Sequence, residues 1–179
     1  MSGIANVATQ FRLDGKCALV TGASRGIGRG VALGLAEAGA DIALVSRDRD
    51  ALESCALAVR ALDRRAVVVP TDMARTDDVR QLPDRVENEL GPVDILVNVA
   101  GFNRKTPALE MTEESWDDVL TVNLRSVFFL CQGVARRWIE GKRFCAEAGT
   151  PRGKIVSIGS LAGAIGFPGQ AQYAASKPA

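Results

Sequence analysis

"LVTGASRGIGRG", residues 19–30, is the stretch on which the reading of the whole chain turns. An apolar run ends at Thr21. Gly22, Gly26 and Gly28 then follow as G-x-x-x-G-x-G, and an amphipathic segment begins near Ile27. Glycines so spaced permit a tight turn, close approach of backbone to a pyrophosphate and close packing of helix on strand. The helix start adds unbonded N–H groups and the positive end of its dipole. A glycine pattern alone is weak evidence, because glycines mark many turns. The strand before it and the helix after it are the context the motif requires. The stretch therefore reads as a dinucleotide loop, with Gly22, Ser24, Arg25, Gly26, Ile27 and Gly28 as candidate cofactor contacts.

Outward from this loop, short apolar runs alternate with longer amphipathic ones. "CALVT" (17–21), "DIALVS" (41–46), "AVVVP" (66–70), "VDILVN" (93–98) and "KIVSIG" (154–159) each have the length of a buried strand. Helical segments are expected at Ile27 to Ala38, Asp50 to Leu62, Thr76 to Leu90, and in one long run from about Thr112 to Glu140. Thr112 caps the last, with Glu113 and Glu114 in its first turn. This alternation predicts an α/β fold, a doubly wound parallel sheet with helices on both faces and right-handed crossovers. Residues 1–15 read as an N-terminal arm and 141–153 as a loop insertion in a single domain. The basic character of that loop and of Arg136 and Arg137 fits a solvated helix end. Trp116 and Trp138 on the long helix read as packing residues.

Composition removes several function classes. The chain has 179 residues, enough for one domain with its own core. Lys plus Arg (22) nearly cancels Asp plus Glu (21), so no charge excess drives binding to nucleic acid or an anionic membrane. No signal-like pattern opens the chain, and no apolar run reaches membrane-spanning length. Cys17, Cys55, Cys131 and Cys145 lack metal or disulfide spacing and suit a reducing cytoplasm. Histidine is absent, which excludes Ser-His-Asp and Cys-His nucleophile systems and most zinc hydrolase sites. No metal site is expected. Acid–base chemistry falls to carboxylates, Lys, Tyr or Cys.

The end of the second strand selects the nucleotide. An acid there would take the ribose hydroxyls of NAD, whereas arginine suits a 2′-phosphate. The sequence reads "LVSRD": Ser46 stands in the acid's place and Arg47 follows. Arg25 in the glycine loop reaches toward the same corner, while Asp41 opens the strand at the wrong end of the sheet. Two arginines at one corner favour NADP, with NAD the alternative and Asp48 the competing acid.

The chain resembles the short-chain dehydrogenase/reductases from "TGASRGIG" to its last residues. The family's "NNAG" is matched by "NVAG" (Asn98 to Gly101, with Ala100 between), its helix asparagine by Asn123, its serine by Ser160 and its Tyr-x-x-x-Lys by Tyr173 and Lys177. An aspartate after the third strand is matched by Asp72, beside Met73, in "PTDM". The resemblance implies a Rossmann-type fold, a reversible exchange of ketone and secondary alcohol with Asn123, Ser160, Tyr173 and Lys177 as catalytic residues, and a homo-oligomer. Tyr173 and Lys177 would also hold the cofactor, and Asp72, Met73, Asn98, Ala100 and Gly101 would line its site. Val99 departs from the motif. "GFNRKTPALEMTEESWDDVL" is similar to sugar-acid dehydrogenases, and "GQAQYAASK" equally to 3-oxoacyl carrier-protein reductases. Further strands would follow the tyrosine helix, so the chain reads as missing its last strands. A non-catalytic nucleotide- or partner-binding module is the alternative function.

The chemistry is also legible in the residues. Tyr173 and Lys177, four apart, share a helix face. A phenol ordinarily ionises near pH 10, and an adjacent ammonium favours its anion. Lowering it by about three units would take roughly 4 kcal/mol. Ser160, just past the fifth strand, sits at the carboxyl edge where this architecture binds ligands. Pro178 disfavours helix at Lys177 and withholds an N–H from Ala174, so the tyrosine helix is expected to be short.

Overall fold

The computed structural model describes residues 10–141 and 153–178. Its central sheet has five parallel strands in the order β3-β2-β1-β4-β5. They are β1 (Cys17–Thr21), β2 (Asp41–Ser46), β3 (Ala66–Pro70), β4 (Ile95–Asn98) and β5 (Lys154–Ser157). The order reverses between β1 and β4, where Ala18 to Val20 pair with Ile95 to Val97. A crevice opens at such a switch point, outside the carboxyl ends of the strands.

Alternation of side chains across the pleat builds two cores. Cys17 and Leu19 of β1 join Val45, Leu82, Leu130 and Trp138 on one face. Ala18 and Val20 join Ile42, Leu44, Ala36, Leu52 and Val59 on the other. Every residue of β1 is buried, the signature of a strand covered on both sides. The first face is covered by α3 (Thr76–Glu89) and α5 (Ser126–Glu140), the second by α1 (Gly26–Glu37) and α2 (Arg49–Arg60). Trp138 is a packing residue: its indole N–H donates to Val93 O at 2.6 Å, and its ring leaves Gly153 no room for a Cβ.

The long helix expected over 112–140 is interrupted. Thr112 caps α4 (Glu113–Leu120) by accepting from Ser115 N at 3.1 Å. A π-turn, Thr121–Arg125, then separates α4 from α5. Ser126 N bonds Thr121 O, five residues back, and Ser126 Oγ donates to Val122 O at 2.6 Å. That hydroxyl satisfies a carbonyl passed over by the widened turn, as serine back-bonding can. Amphipathic periodicity does not reveal one extra residue in a turn.

The last two elements are short. β5 ends at Ser157, two residues sooner than expected, and pairs only with β4 among the described residues. All four of its residues are exposed. The helix bearing Tyr173, α6, spans Ala171–Ser176, and Lys177 caps it through a 3.5 Å bond to Ala174 O. Of the expected arm, residues 10–15 are seen, with Leu13 N bonded to Ala38 O at 2.8 Å. Residues 1–9, the 142–152 part of the expected insertion and Cys145 lie outside the described residues.

Candidate active site

A cleft of about 990 Å³ opens at the switch point. Gly22, Ser24, Arg25, Gly26, Ile27 and Gly28 form one wall, with Ser46, Arg47 and Asp48 at one corner. Thr71, Asp72, Met73 and Ala74 close the side beyond β3, and Val99 to Phe102, Arg104, Asp118 and Val122 form the far end. Close backbone contact shapes the loop. Gly22 has φ +68°, and a Cβ there would lie 2.9 Å from Ala100 N. A Cβ on Gly28 would lie 2.1 Å from Gly22 O. Only glycine is accommodated at both places. The first turn of α1 has neither a side-chain cap nor an acidic residue, so its N–H groups face the cleft unneutralised.

Asp48 is committed elsewhere. Its carboxylate caps α2 by accepting from Ala51 N at 3.0 Å, and its own N–H donates to Ser46 Oγ at 3.2 Å. Arg25 and Arg47 form no ion pair among the described residues and both are exposed at the cleft. Asp72 accepts from Ala74 N at 3.0 Å, which turns the chain after β3 along the cleft wall.

Asn98 does not line the cleft. It is buried, and its amide donates to Cys131 Sγ and Ser157 Oγ, both at 3.3 Å, tying β4 to β5 and α5. Burial pushes the Cys131 thiol up from its ordinary pKa. Thr21, which sequence reasoning missed, holds the next residues instead. Its hydroxyl accepts from Val99 N at 3.0 Å and Ala100 N at 3.1 Å. The available signal was a hydroxyl immediately before the first glycine, where a β1 side chain meets the end of β4.

Gly101 joins the cleft to a second cluster. A Cβ there would sit 3.0 Å from Asn123 Oδ1 and 3.4 Å from Lys177 Nζ. Asn123, buried in the π-turn, clamps the backbone of Phe102. It accepts from Phe102 N and donates to Phe102 O, each at 2.9 Å, and gives its other amide hydrogen to Ser176 Oγ at 3.1 Å. Both amide donors are thus used within the protein. Lys177 Nζ donates to Ile158 O at 3.0 Å and lies 5.6 Å from the Tyr173 ring centre. Burial lowers the Lys177 pKa below its ordinary value. Ser160, three residues past β5, accepts from Ala162 N at 3.2 Å and starts a short 3₁₀ turn, Leu161–Gly163. A chain of polar contacts therefore runs from the cleft wall through Asn123 to the tyrosine helix.

The sequence pattern of one family, described as short chain dehydrogenase, matches residues 16–179. The chain belongs to the short chain dehydrogenase family. Within it, 2-dehydro-3-deoxy-D-gluconate 5-dehydrogenase of Escherichia coli is 40% identical over 173 residues, 96% of this chain and 64% of that protein. A 3-oxoacyl acyl-carrier-protein reductase of Staphylococcus epidermidis is 37% identical over 163 residues, 90% of this chain and 63% of the relative. The solved gluconate 5-dehydrogenase of Burkholderia cenocepacia, in complex with NADP and tartrate, superposes with a TM-score of 0.84 at 37% identity. The match covers 97% of this chain and 64% of that one. The chain spans just under two thirds of the length of these short chain dehydrogenases.

Proposed function

We propose that this chain is the cofactor-binding and proton-transferring part of an NADP-dependent oxidoreductase that interconverts a ketone and a secondary alcohol. One observation carries the reading. Gly101 borders the cleft and, lacking a side chain, lets Asn123 and Lys177 approach it directly. The glycine loop and the uncapped start of α1 suit a pyrophosphate, and Arg25 and Arg47 suit a 2′-phosphate at the corner where Asp48 is already used as a cap. NADP, when bound, supplies the hydride chemistry. Tyr173 holds and delivers the proton at the substrate oxygen. Lys177, anchored on Ile158 O, keeps a positive charge beside that phenol and reaches the cofactor end of the cleft. Ser160 Oγ orients the substrate oxygen and donates to it as negative charge builds.

Three further readings extend this one. The sugar-acid relative and the tartrate-bound structure support a small hydroxy acid as substrate. The thiols of Cys55 and Cys131, in no disulfide among the described residues, fit a reducing cytoplasm. Exposed Phe128, with Asp117 and Arg125 of opposite charge beside the same groove along α4, the π-turn and α5, supports two-fold pairing of copies.

The test is direct. The chain should quench on titration with NADPH and reduce a keto-sugar acid faster than an acetoacetyl thioester. Tyr173→Phe should abolish turnover and leave NADPH binding intact. NADPH binding without turnover in the unmutated chain would leave a nucleotide-binding module as the better reading, and unchanged turnover in the variant would take the proton transfer away from Tyr173.

A further inference from the structure

The tyrosine helix has little rigidity of its own. It is six residues long, and its terminal backbone bond, Lys177 N to Ala174 O, is stretched to 3.5 Å. So short a helix is held by what it packs on. At its first turn the buried Gln172 amide donates to Arg104 O. At its last turn the tie is Ser176, 1% exposed, whose hydroxyl accepts from Asn123 Nδ2 at 3.1 Å and donates to Tyr173 O at 2.8 Å. Both directions of that hydroxyl are used, one toward the π-turn and one toward the backbone of the tyrosine itself.

The geometry points to Ser176 as a positioning residue that locks the Tyr173–Lys177 pair to the Asn123 π-turn, and thereby to the wall of the cleft. This rests on the oxidoreductase reading only for its consequence in turnover. Asn123 already fixes Phe102 through two bonds, so Ser176 ties the last turn of the helix to the cleft's frame, as Gln172 ties the first turn through Arg104 O. Alanine at 176 would leave one Asn123 amide hydrogen unpartnered and let the helix slide or rotate. The cofactor cleft itself would be untouched.

The experiment compares Ser176→Ala with Ser176→Thr, which keeps the hydroxyl. In Ser176→Ala, kcat should fall about tenfold with KM and the NADPH dissociation constant within about twofold, and Ser176→Thr should recover most of the loss. Tyr173 is the single tyrosine of the chain, so ring-labelled tyrosine gives an NMR signal free of overlap. That signal should move in Ser176→Ala and return in Ser176→Thr, with or without turnover. Should Ser176→Ala lose its cooperative melt, Ser176→Cys, similar in size but a weak donor, takes its place with the same expectations. An unmoved ring signal, or a loss of NADPH affinity matching the loss of kcat, overturns the assignment. Failure of the unmutated chain to bind NADPH would instead count against the oxidoreductase reading, while the ring signal would still decide the role of Ser176.

Discussion

The glycine loop, which walls the cleft, and the tyrosine helix, which meets the cleft at Gly101, are held in place by different means. The loop is a matter of backbone clearance: Gly28 abuts Gly22, and Gly22 abuts Ala100, with no side chain between them. The helix is a matter of side-chain ties: Gln172 to Arg104 O, Ser176 to Asn123, and Lys177 Nζ to Ile158 O. Clearance of that kind has no slack, so it tolerates almost no substitution. Ties can be removed one at a time, each at a measurable cost.

Gly28→Ala should be the most damaging change. Its Cβ would meet Gly22 O, a backbone atom that cannot turn aside. About 3 kcal/mol of overpacking is expected, appearing as a lower melting temperature and a loss of roughly a hundredfold in NADPH affinity. Titration and melting on one preparation would check both. A near-neutral result would mean that the loop yields as readily as the helix does.

Arg47→Ala sharpens the comparison at the corner. Loss of a charge-assisted bond to a 2′-phosphate should weaken NADPH about tenfold to a hundredfold and leave NADH unchanged. Equal losses for both coenzymes would place Arg47 outside the recognition site. Gly101→Ala probes the join between cleft and helix. Its Cβ would press on a side-chain atom, Asn123 Oδ1, so a drop of about tenfold in kcat with a smaller change in NADPH affinity is expected.

The smallest effect concerns pH. Burial lowers the Lys177 pKa, so the folded chain holds that proton less tightly than the unfolded chain does. Between the lowered value and the ordinary one the unfolded state binds more protons, and stability therefore rises with pH across that window. Below it, the burial penalty on the ammonium is present in full. Lys177→Met should flatten this slope in a series of melts at alkaline pH. A slope unchanged by the substitution would assign it to other groups.

Much of this was legible in residues 19–30 and in the apolar runs. β1, β2 and β3 fall where "CALVT", "DIALVS" and "AVVVP" place them, because strands buried on both faces leave continuous apolar runs. Thr112 could be seen as a cap from its own chemistry and that of the two acids after it. The competing claim of Asp48 on the nucleotide corner could not be weighed, since its engagement as a cap depends on where α2 begins. Asn98 looked like a cleft residue beside Ala100 and Gly101. The pleat turns it inward to Cys131 and Ser157, and only strand register tells the two faces apart. Thr21 and Ser176 went unnoticed because single hydroxyls gain meaning only from partners far away in the chain.

The π-turn at 121–125 acts as a phase adjuster. Each α-helical residue advances about 100° around the axis. In one unbroken α-helix, the side that seats Leu130, Val134 and Trp138 in the core would set the angle of Asn123 without regard to the cleft. One added residue in the turn uncouples the two requirements. Deleting Leu124 or Arg125 would wind the helix tight and swing the asparagine off its axis of aim, while composition and hydropathy stayed almost the same.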